Sequence, residues 1–284
     1  MPTVAQMVER TAASVAAADL FYGHGTETPW DEAVALVMGV TGLPDDQAVL
    51  EQDVEPALAA QIEGVAVQRI DTRQPLAYLL GHCQYMGHRF VVRPGVLVPR
   101  SPLGYLLDGH VYPWLPDKIT HVVDVCAGSG CLGIIAAHLF PASRIELLEI
   151  DPLACEVARE NVAAHALEAR VAVVEGDALE TFPSLRGVDL VITNPPYVNA
   201  ADMHNLPPEY RCEPERALAS GVDGLDLLLP IIDVAGEVLA PGGLLLGEAG
   251  GSAAALDDAC AELSLIWPDL LDGGEGVFLW QRPR

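Results

Sequence analysis

The spacing of apolar residues changes twice along the chain, and these changes divide it into three zones. In residues 1–75 apolar side chains recur every three or four positions, the period of a helix that buries one face. The pattern predicts helices over residues 4–18, from about residue 31 onward, and over residues 55–70. We therefore expect residues 1–75 to form a small helical domain.

Residues 76–107 have a different pattern, in which short apolar runs are separated by turn residues. Residues 84–92 predict a strand, the Arg-Pro-Gly of residues 93–95 a tight turn, and residues 96–98 the partner strand. Ser101 can cap a helix that follows, because its hydroxyl can accept a free backbone N–H. This zone is expected to be a β-hairpin linker.

From residue 108 to residue 284 apolar strands alternate with helices, which is typical of an α/β domain with a parallel sheet. The predicted strands are residues 121–125, 144–150, 171–174, 188–193 and 243–247, and the predicted helices are residues 131–139, 152–165, 224–239 and 252–263. Residues 265–270 and 276–281 flank an Asp-Gly-Gly-Glu turn, so the sheet is expected to end in an antiparallel pair.

Composition narrows the class of protein. Apolar residues make up 51% of the 284-residue chain, enough for a large core, and no apolar run reaches the ~18–20 residues that span a bilayer. The N-terminus does not fit a signal peptide, and the six cysteines include no Cys-x-x-Cys pair. Cys126 and Cys131 lie close together, but nothing nearby completes a tetrahedral metal site. A cytoplasmic protein without membrane segment, disulfide or metal is expected.

The net charge of −25 is extreme for this length. Such a field repels phosphate backbones and attracts basic partners, which disfavours a nucleic-acid substrate and favours a basic protein. The acidity has an equal alternative explanation, since a high net charge by itself improves solubility.

Residues 122–130 place a glycine turn between a predicted strand and a predicted helix. Glycines there let a ligand approach the backbone and leave the N–H groups of the helix start free. Glu149 ends the second strand of this domain, where a carboxylate can accept ribose hydroxyls, and Asp177 follows the third, where it suits an adenine amine. Asp151 is instead expected to cap the helix that begins at Pro152. The spacing alone also allows a dinucleotide.

Asn194, Pro195, Pro196 and Tyr197 follow the fourth predicted strand of the domain. The nitrogen of an amide or of a ring-conjugated amine is a poor nucleophile because its lone pair is delocalised, so catalysis on it depends on orientation and on polarised N–H bonds. The Asn194 oxygen and the Pro195 carbonyl can each accept one N–H of a planar NH2 group. The two prolines stiffen the loop, and Tyr197 offers an aromatic face for stacking. Residues 248–251 end the fifth strand and are candidates for lining the same pocket.

The Asn-Pro-Pro-Tyr motif and residues 124–130 together resemble the amino-methyltransferases, which include adenine DNA methyltransferases and the HemK-like glutamine methyltransferases. The helical zone with the Val-Pro-Arg of residues 98–100 is similar to the HemK-like family, as are residues 213–218 and 221–225. The resemblance implies a class I methyltransferase, with a Rossmann-like seven-stranded sheet over residues 108–284 and an N-terminal helical domain that recognises the substrate. It also implies S-adenosylmethionine as cofactor, S-adenosylhomocysteine as product and no metal.

Within this family the resemblance reaches from about residue 20 to residue 279 and favours one branch. Residues 98–104 read Val-Pro-Arg-Ser-Pro-Leu-Gly, similar to the branch that acts on the L-three protein of the large ribosomal subunit, whereas the release-factor branch reads Ile-Pro-Arg-Pro-x-Thr-Glu. Residues 20–26 and 201–203 also resemble that branch. The resemblance implies methylation of the side-chain amide of a glutamine in a basic ribosomal protein.

The motifs and the resemblance give one set of candidate site residues. Those for the cofactor are Asp124, Cys126, Ala127, Gly128, Ser129, Gly130, Glu149, Ile150, Asp177, Ala178 and Asn194; those for catalysis are Asn194, Pro195, Pro196 and Tyr197; those for the substrate are Arg100, Asn194 and Tyr197. Two positions depart from the family pattern, since Glu149 replaces a commoner aspartate and Ala127 a threonine. Arg100 has two open roles, orienting the substrate or bracing the hairpin against the catalytic domain.

Three other functions stay open at this point. The same reaction on a peptide chain release factor is disfavoured by Ser101 and Pro102. An adenine methyltransferase needs a basic surface, yet 15 basic residues face 40 acidic ones. A cofactor-binding protein without activity is disfavoured by the intact motifs. The sequence predicts neither direct sequence-specific nucleic-acid binding nor an oligomeric state.

Overall fold

The structure, a computed structural model, describes residues 1–269 and 276–284 and divides into two compact units. The first unit consists of Met1–Arg100 together with Pro207–Glu213, and the second of Ser101–Leu206 together with Pro214–Arg284. The chain therefore enters the second unit at Ser101, returns once to the first, and ends in the second.

The first unit contains four helices, α1 to α4. The helices predicted from the apolar period are present, and α4 is an additional short one; their bounds are Val4–Ala16, Pro29–Thr41, Pro56–Thr72 and Leu76–Leu80. Thr3 and Thr28 begin α1 and α2, because each hydroxyl accepts a backbone N–H of the first turn while Gln6 or Asp31 bonds back to the capping residue. Met7, Leu36 and Ile62 lie in the core between the first three helices.

The hairpin of this unit lies earlier in the chain than the sequence predicts. Strands β1 (His82–Tyr85) and β2 (His88–Val91) are antiparallel, and their turn is formed by Met86 and Gly87. The predicted turn at residues 93–95 is present, since the N–H of Val96 donates to the Arg93 oxygen at 3.1 Å, but it joins no hairpin. The prediction that residues 84–92 and 96–98 form its two strands is wrong. Both residues of the hairpin turn have positive φ, +50° and +73°, which is the backbone that matches the twist of a two-residue hairpin. Methionine rarely adopts it, so the sequence gives little signal.

The segment Pro207–Glu213 is anchored in the first unit by two buried glutamates. Glu209 is fully buried, accepts the backbone N–H of Phe21 at 3.1 Å and pairs with Arg73 at 2.8 Å. A buried carboxylate is stable only with such partners.

Glu213 is the second anchor. Its two carboxylate oxygens accept the two arms of the Arg100 guanidinium at 2.7 and 2.8 Å, and one also accepts the N–H of Val98 at 2.9 Å. Burial raises the pKa of Glu213, but Arg100 and the nearby His24 outweigh it and lower that pKa to about 2. The native state thus holds this carboxylate in its charged form.

The second unit is built on a six-stranded sheet in the order β5-β4-β3-β6-β7-β8. In that numbering the strands β3 to β8 are His121–Val125, Arg144–Glu149, Val171–Glu175, Val188–Thr193, Leu239–Glu248 and Val277–Gln281. The first five are parallel and β8 is antiparallel to β7. In the described residues the place of a seventh strand is taken by one antiparallel bridge between Ile266 and Leu279, and the predicted turn at 272–275 lies outside those residues.

Seven helices, α5 to α11, belong to the described part of this unit. They are Leu103–Tyr105, Cys131–Leu139, Pro152–Ala164, Ala178–Thr181, Ala200–Asn205, Leu228–Val238 and Ala253–Ala259. The helices α6 and α7 pack on β3, β4 and β5, and α10 packs on β7 around a core that includes Val123, Val191 and Phe278. Among the described residues, no helix is both long and apolar enough to cross a bilayer.

The Glu213 anchor makes a prediction for stability against pH. A carboxyl whose native pKa lies near 2, against about 4.5 when unfolded, stabilises the native state above pH 4.5, and this contribution is lost as the pH falls. Between pH 6 and pH 3 we expect wild type to lose about 2 kcal/mol more unfolding free energy than Glu213→Gln. Urea unfolding at the two pH values measures this, with the exposed Glu51→Gln as control. An equal loss in wild type and Glu213→Gln would contradict it.

Candidate active site

Three strand ends form one row at the carboxyl edge of the sheet. Thr193 on β6 is paired in register with Val125 on β3 and with Gly247 on β7. Cys126 and Asn194, the first residues after β3 and β6, therefore lie level with Glu248, the last residue of β7. The chain runs outward from β3 to β5 and returns to β6 on the other side of β3. Open α/β sheets bind ligands at such a switch point.

In the loop after β3, every second residue from position 126 to position 130 has a positive φ. Cys126, Gly128 and Gly130 have φ values of +64°, +55° and +78°, a region that favours glycine. A Cβ on Gly130 would lie 2.8 Å from the Leu147 side chain, whereas one on Gly128 would meet nothing within 4 Å. Glycine is therefore favoured at position 130 chiefly by its positive φ, and Gly128 leaves open space in front of the backbone, as a cradle for a ligand does.

The loop is also held from behind by a residue that no motif predicts. Asn161 on α7 is fully buried, and its Nδ2 donates to the backbone oxygen of Ser129 at 3.0 Å. Ala127 is fixed as well, because its N–H donates to the Leu148 oxygen at 3.0 Å. The only sequence signal for Asn161 is an asparagine on a helix face that is otherwise apolar.

Asp124 lies beneath the loop and is buried. Its Oδ2 accepts the N–H of Gly133 at 2.8 Å, while its Oδ1 has no hydrogen-bond partner in the described residues. Burial raises the pKa of Asp124 to about 7; the Gly133 hydrogen bond opposes the shift and the charge of Glu149 adds to it. An unpartnered buried oxygen is a group that a ligand can satisfy.

Glu149, at the end of β4, already accepts three backbone N–H groups. Its Oε2 accepts from Gly128 at 2.7 Å, and its Oε1 accepts from Ile150 and Asp151, both at 2.8 Å. A carboxylate has about four acceptor positions, so one position on Oε2 is left for a ligand hydroxyl. The longer glutamate, in place of the commoner aspartate, thus both fixes the glycine loop and keeps one acceptor at the ribose position expected from the sequence.

The next loop provides the remaining candidates. Asp177 Oδ1 accepts the N–H of Leu179 and so caps α8, while Ala178 is buried. Ile150 is 48% exposed at the end of β4. Asp151 caps α7 by accepting from Leu153 and Ala154, as the sequence predicts.

The carboxylates of these loops converge on one side chain. Burial raises the pKa of Cys126, and the charges of Glu149, Asp124 and Asp177 raise it further, in that order of size. This raised pKa leaves the thiol protonated, so that Cys126 lines the site without acting as a nucleophile.

Asn194 to Tyr197 form the loop after β6. Asn194 is half-buried, and within the described residues no hydrogen bond joins its side chain to another group. Pro195 is buried, and Pro196 is half-buried. The loop that follows is fixed by backbone hydrogen bonds of Val198 to Leu218 and Ser220, at 2.8 and 2.9 Å. The Asn194 amide is therefore free on a rigid loop.

Tyr197 and Glu248 are joined by a hydrogen bond that the sequence does not predict. The phenol donates to Glu248 Oε1 at 2.6 Å. Residues 248–251 are expected only to line the pocket, whereas the structure makes Glu248 a partner of the motif itself.

Arg100 belongs to the first unit, where its guanidinium makes the two-pronged ion pair with Glu213. It also lies over the Tyr210 ring, 5.2 Å from its centre. These contacts all lie within the first unit, so the two roles left open by the sequence stay predictions.

Comparison with known proteins agrees with this geometry. Residues 112–221 match the family model "Methyltransferase small domain". Over the whole chain the sequence is 36% identical to a ribosomal protein uL3 glutamine methyltransferase of Bordetella pertussis, covering 96% of that protein. It is 38% identical to the protein of that name in Burkholderia pseudomallei, over 98% of this chain and 94% of the relative.

The chain belongs to the uL3 glutamine methyltransferase family. The catalytic domain of hMettl16, solved in complex with an RNA hairpin, shares the fold, with a TM-score of 0.53 at 14% identity over 81% of this chain and 82% of that one. The class I methyltransferase fold predicted from the sequence is thereby confirmed. As a methyltransferase of this family, the enzyme is expected to use S-adenosylmethionine.

The buried Asp124 makes a prediction that can be checked without cofactor. Its native pKa of about 7, against 3.8 when unfolded, means that the native state holds a proton that the unfolded state has lost. The native state is therefore destabilised as the pH rises from about 4 to 7. Between pH 5 and pH 8 wild type should lose about 2–3 kcal/mol of unfolding free energy that Asp124→Asn keeps. Urea titrations measure this, and parallel pH profiles for the two proteins would contradict it.

Proposed function

We propose that the enzyme transfers a methyl group from S-adenosylmethionine to the side-chain amide nitrogen of a glutamine in ribosomal protein uL3. One observation carries the proposal. The register of β3 and β6 brings the glycine loop and the Asn194 loop out of the sheet side by side, and the Asn194 amide is not engaged by the protein.

The residues around the glycine loop fit the cofactor. Gly128 leaves space at the backbone, and Glu149 keeps one acceptor position for a ribose hydroxyl. Asp124 has an unpartnered oxygen on the same side of the sheet, suited to the methionine part. Asp177 and Ala178 supply an acceptor and a small apolar surface for the adenine. When bound, S-adenosylmethionine supplies an activated methyl group on a positively charged sulfur.

The Asn194 loop supplies what the acceptor amide needs. The lone pair of an amide nitrogen is delocalised, so the nitrogen attacks only when its orientation is fixed and its N–H bonds are polarised. The Asn194 side-chain oxygen accepts one N–H of the glutamine NH2, and the Pro195 carbonyl accepts the other. Because Pro195 and Pro196 restrict the backbone, both acceptors are in place before the substrate binds. Tyr197 adds an aromatic surface beside the planar amide.

No strong base is needed for this reaction. A nitrogen that has just gained a methyl group becomes very acidic, so its proton passes readily to water or to the neighbouring acceptors. This agrees with the absence of any histidine or lysine from residues 194–197.

The charge of the enzyme supports a basic protein as substrate. Residues 1–75 hold 12 acidic side chains against 3 arginines, a net charge of −9. Ribosomal proteins are basic because they bind RNA, so this acidic region attracts such a partner and repels free nucleic acid. Both relatives described above carry uL3 in their names. An adenine target and a release factor have no comparable support.

The cofactor assignment is tested at Glu149. Glu149→Gln keeps the shape but loses the charge and, at one oxygen, the acceptor that holds Gly128. We expect S-adenosylmethionine to bind about 10-fold more weakly, a loss of about 1.4 kcal/mol measured by calorimetry. The matched control is Glu175→Gln, because Glu175 is the register partner of Glu149 on β5 but is exposed and paired with Arg159. Equal affinity of Glu149→Gln and wild type would move the ribose contact to another residue.

The catalytic assignment is tested at Asn194. Asn194→Ala should slow methyl transfer to uL3 by about 100–1000-fold, because one preorganised acceptor is removed from the reacting NH2 group. Cofactor affinity should change little, since the glycine loop is intact. Asn205→Ala, on an exposed face of α9, should keep wild-type turnover. Wild-type turnover in Asn194→Ala would mean that the motif does not bind the acceptor amide.

A further inference from the structure

We propose that Glu248 is a positioning residue for the acceptor loop, acting through Tyr197. This inference rests on the proposed function, since it assumes that the loop of Asn194 to Tyr197 binds the glutamine amide. It assigns the role of a buried carboxylate that the methyl-transfer scheme above does not use.

Glu248 is buried at the end of β7, with 6% of its surface exposed, and both of its oxygens accept hydroxyl protons. Tyr197 donates to Oε1 at 2.6 Å and Ser101 donates to Oε2 at 2.5 Å. Distances of ~2.5–2.7 Å are those of hydroxyl–carboxylate bonds, which are stronger than neutral ones. The two hydroxyls come from segments 96 positions apart, Ser101 and Tyr197, so the carboxylate ties distant parts of the unit together.

A third contact restricts the Ser101 hydroxyl. Its Oγ accepts the backbone N–H of Leu103 at 3.2 Å, and its single proton is donated to Glu248. An ionised glutamate only accepts hydrogen bonds, so both of its oxygens accept from the two hydroxyls. A glutamine has one acceptor oxygen and one NH2 donor, so it cannot accept a proton from both hydroxyls.

Tyr197 is held at two further points. Its backbone oxygen accepts from Ser252 Oγ at 2.9 Å, and a Cβ on Gly250 would collide with its ring. The phenol, the backbone and the ring are thus each fixed by a different group. Because Tyr197 lies three residues after Asn194, holding it fixes the end of the loop that carries the Asn194 side chain and the Pro195 carbonyl.

Packing alone does not explain a glutamate here. Burying a carboxylate costs free energy that an apolar side chain of similar size would avoid. A carboxyl group at this position therefore points to a need for directed hydrogen bonds rather than for volume. The register of Thr193 with Gly247 places Glu248 beside the strand that carries the acceptor loop.

The test is a double-mutant cycle on turnover with uL3 as substrate. Glu248→Gln and Tyr197→Phe should each lower kcat by about 10–100-fold, as expected for a misplaced reacting group. S-adenosylmethionine affinity by calorimetry should stay within about threefold, and this loss of kcat without a loss of cofactor affinity is not what general destabilisation would give. The double variant should be no slower than the slower single variant, because both changes break the same bond. Glu146→Gln, which removes a carboxylate near the opposite edge of the sheet, should keep wild-type kcat.

Two results would overturn the inference. One is a wild-type kcat in Glu248→Gln or Tyr197→Phe; the other is a double variant whose loss equals the product of the two single losses. If Glu248→Gln does not fold, Tyr197→Phe alone decides, because it removes only a hydroxyl from a half-buried ring. Asn194→Ala assayed alongside separates this inference from the function itself. An inactive Asn194→Ala with an unaffected Glu248→Gln refutes only the role of Glu248, whereas an active Asn194→Ala refutes the proposed function.

Discussion

The parallel register of β3, β6 and β7 is the constraint on which the site depends. Val125, Thr193 and Gly247 are paired across three adjacent strands, so the glycine loop, the Asn194 loop and Glu248 start at the same level of the sheet. A slip of one residue in β6 would turn the buried side chains of that strand to the other face and displace the acceptor loop from the glycine loop. The apolar packing of the strands, which resists such a slip, thereby also determines where the chemistry takes place.

The three buried carboxylates of this edge differ in how far the protein satisfies them. Glu248 accepts two hydroxyl protons, whereas Glu149 accepts three N–H groups and keeps one position, and Asp124 keeps an unpartnered oxygen. Asp124 and Glu149 lie at the glycine loop, where the proposed cofactor binds, whereas Glu248 supports the acceptor loop through Tyr197. The same chemical group thus has a binding role or a positioning role according to the loop that it borders.

Most of the sheet could be predicted because buried parallel strands are continuous apolar runs; β3 and β6 have the predicted bounds, as does α6. The hairpin could not be predicted, because its turn uses a methionine with positive φ. The helix α10 begins later than predicted, because Gly224 has a φ of +85° and lies against Tyr197 and Ser252. Motif residues were visible from their spacing. Asn161, Ser252 and the bond from Tyr197 to Glu248 were not, since they depend on contacts between residues far apart in sequence.

The central claim is that the acceptor is a glutamine amide of uL3. The most direct measurement is methyl transfer from labelled S-adenosylmethionine to purified uL3, to a release factor and to ribosomal RNA in separate reactions, followed by mass-spectrometric mapping of the modified residue. The account predicts one methyl group on the side-chain amide of one glutamine of uL3, with the release factor and the RNA unlabelled. Label on an adenine, or on the release factor while uL3 stays unmodified, would contradict it.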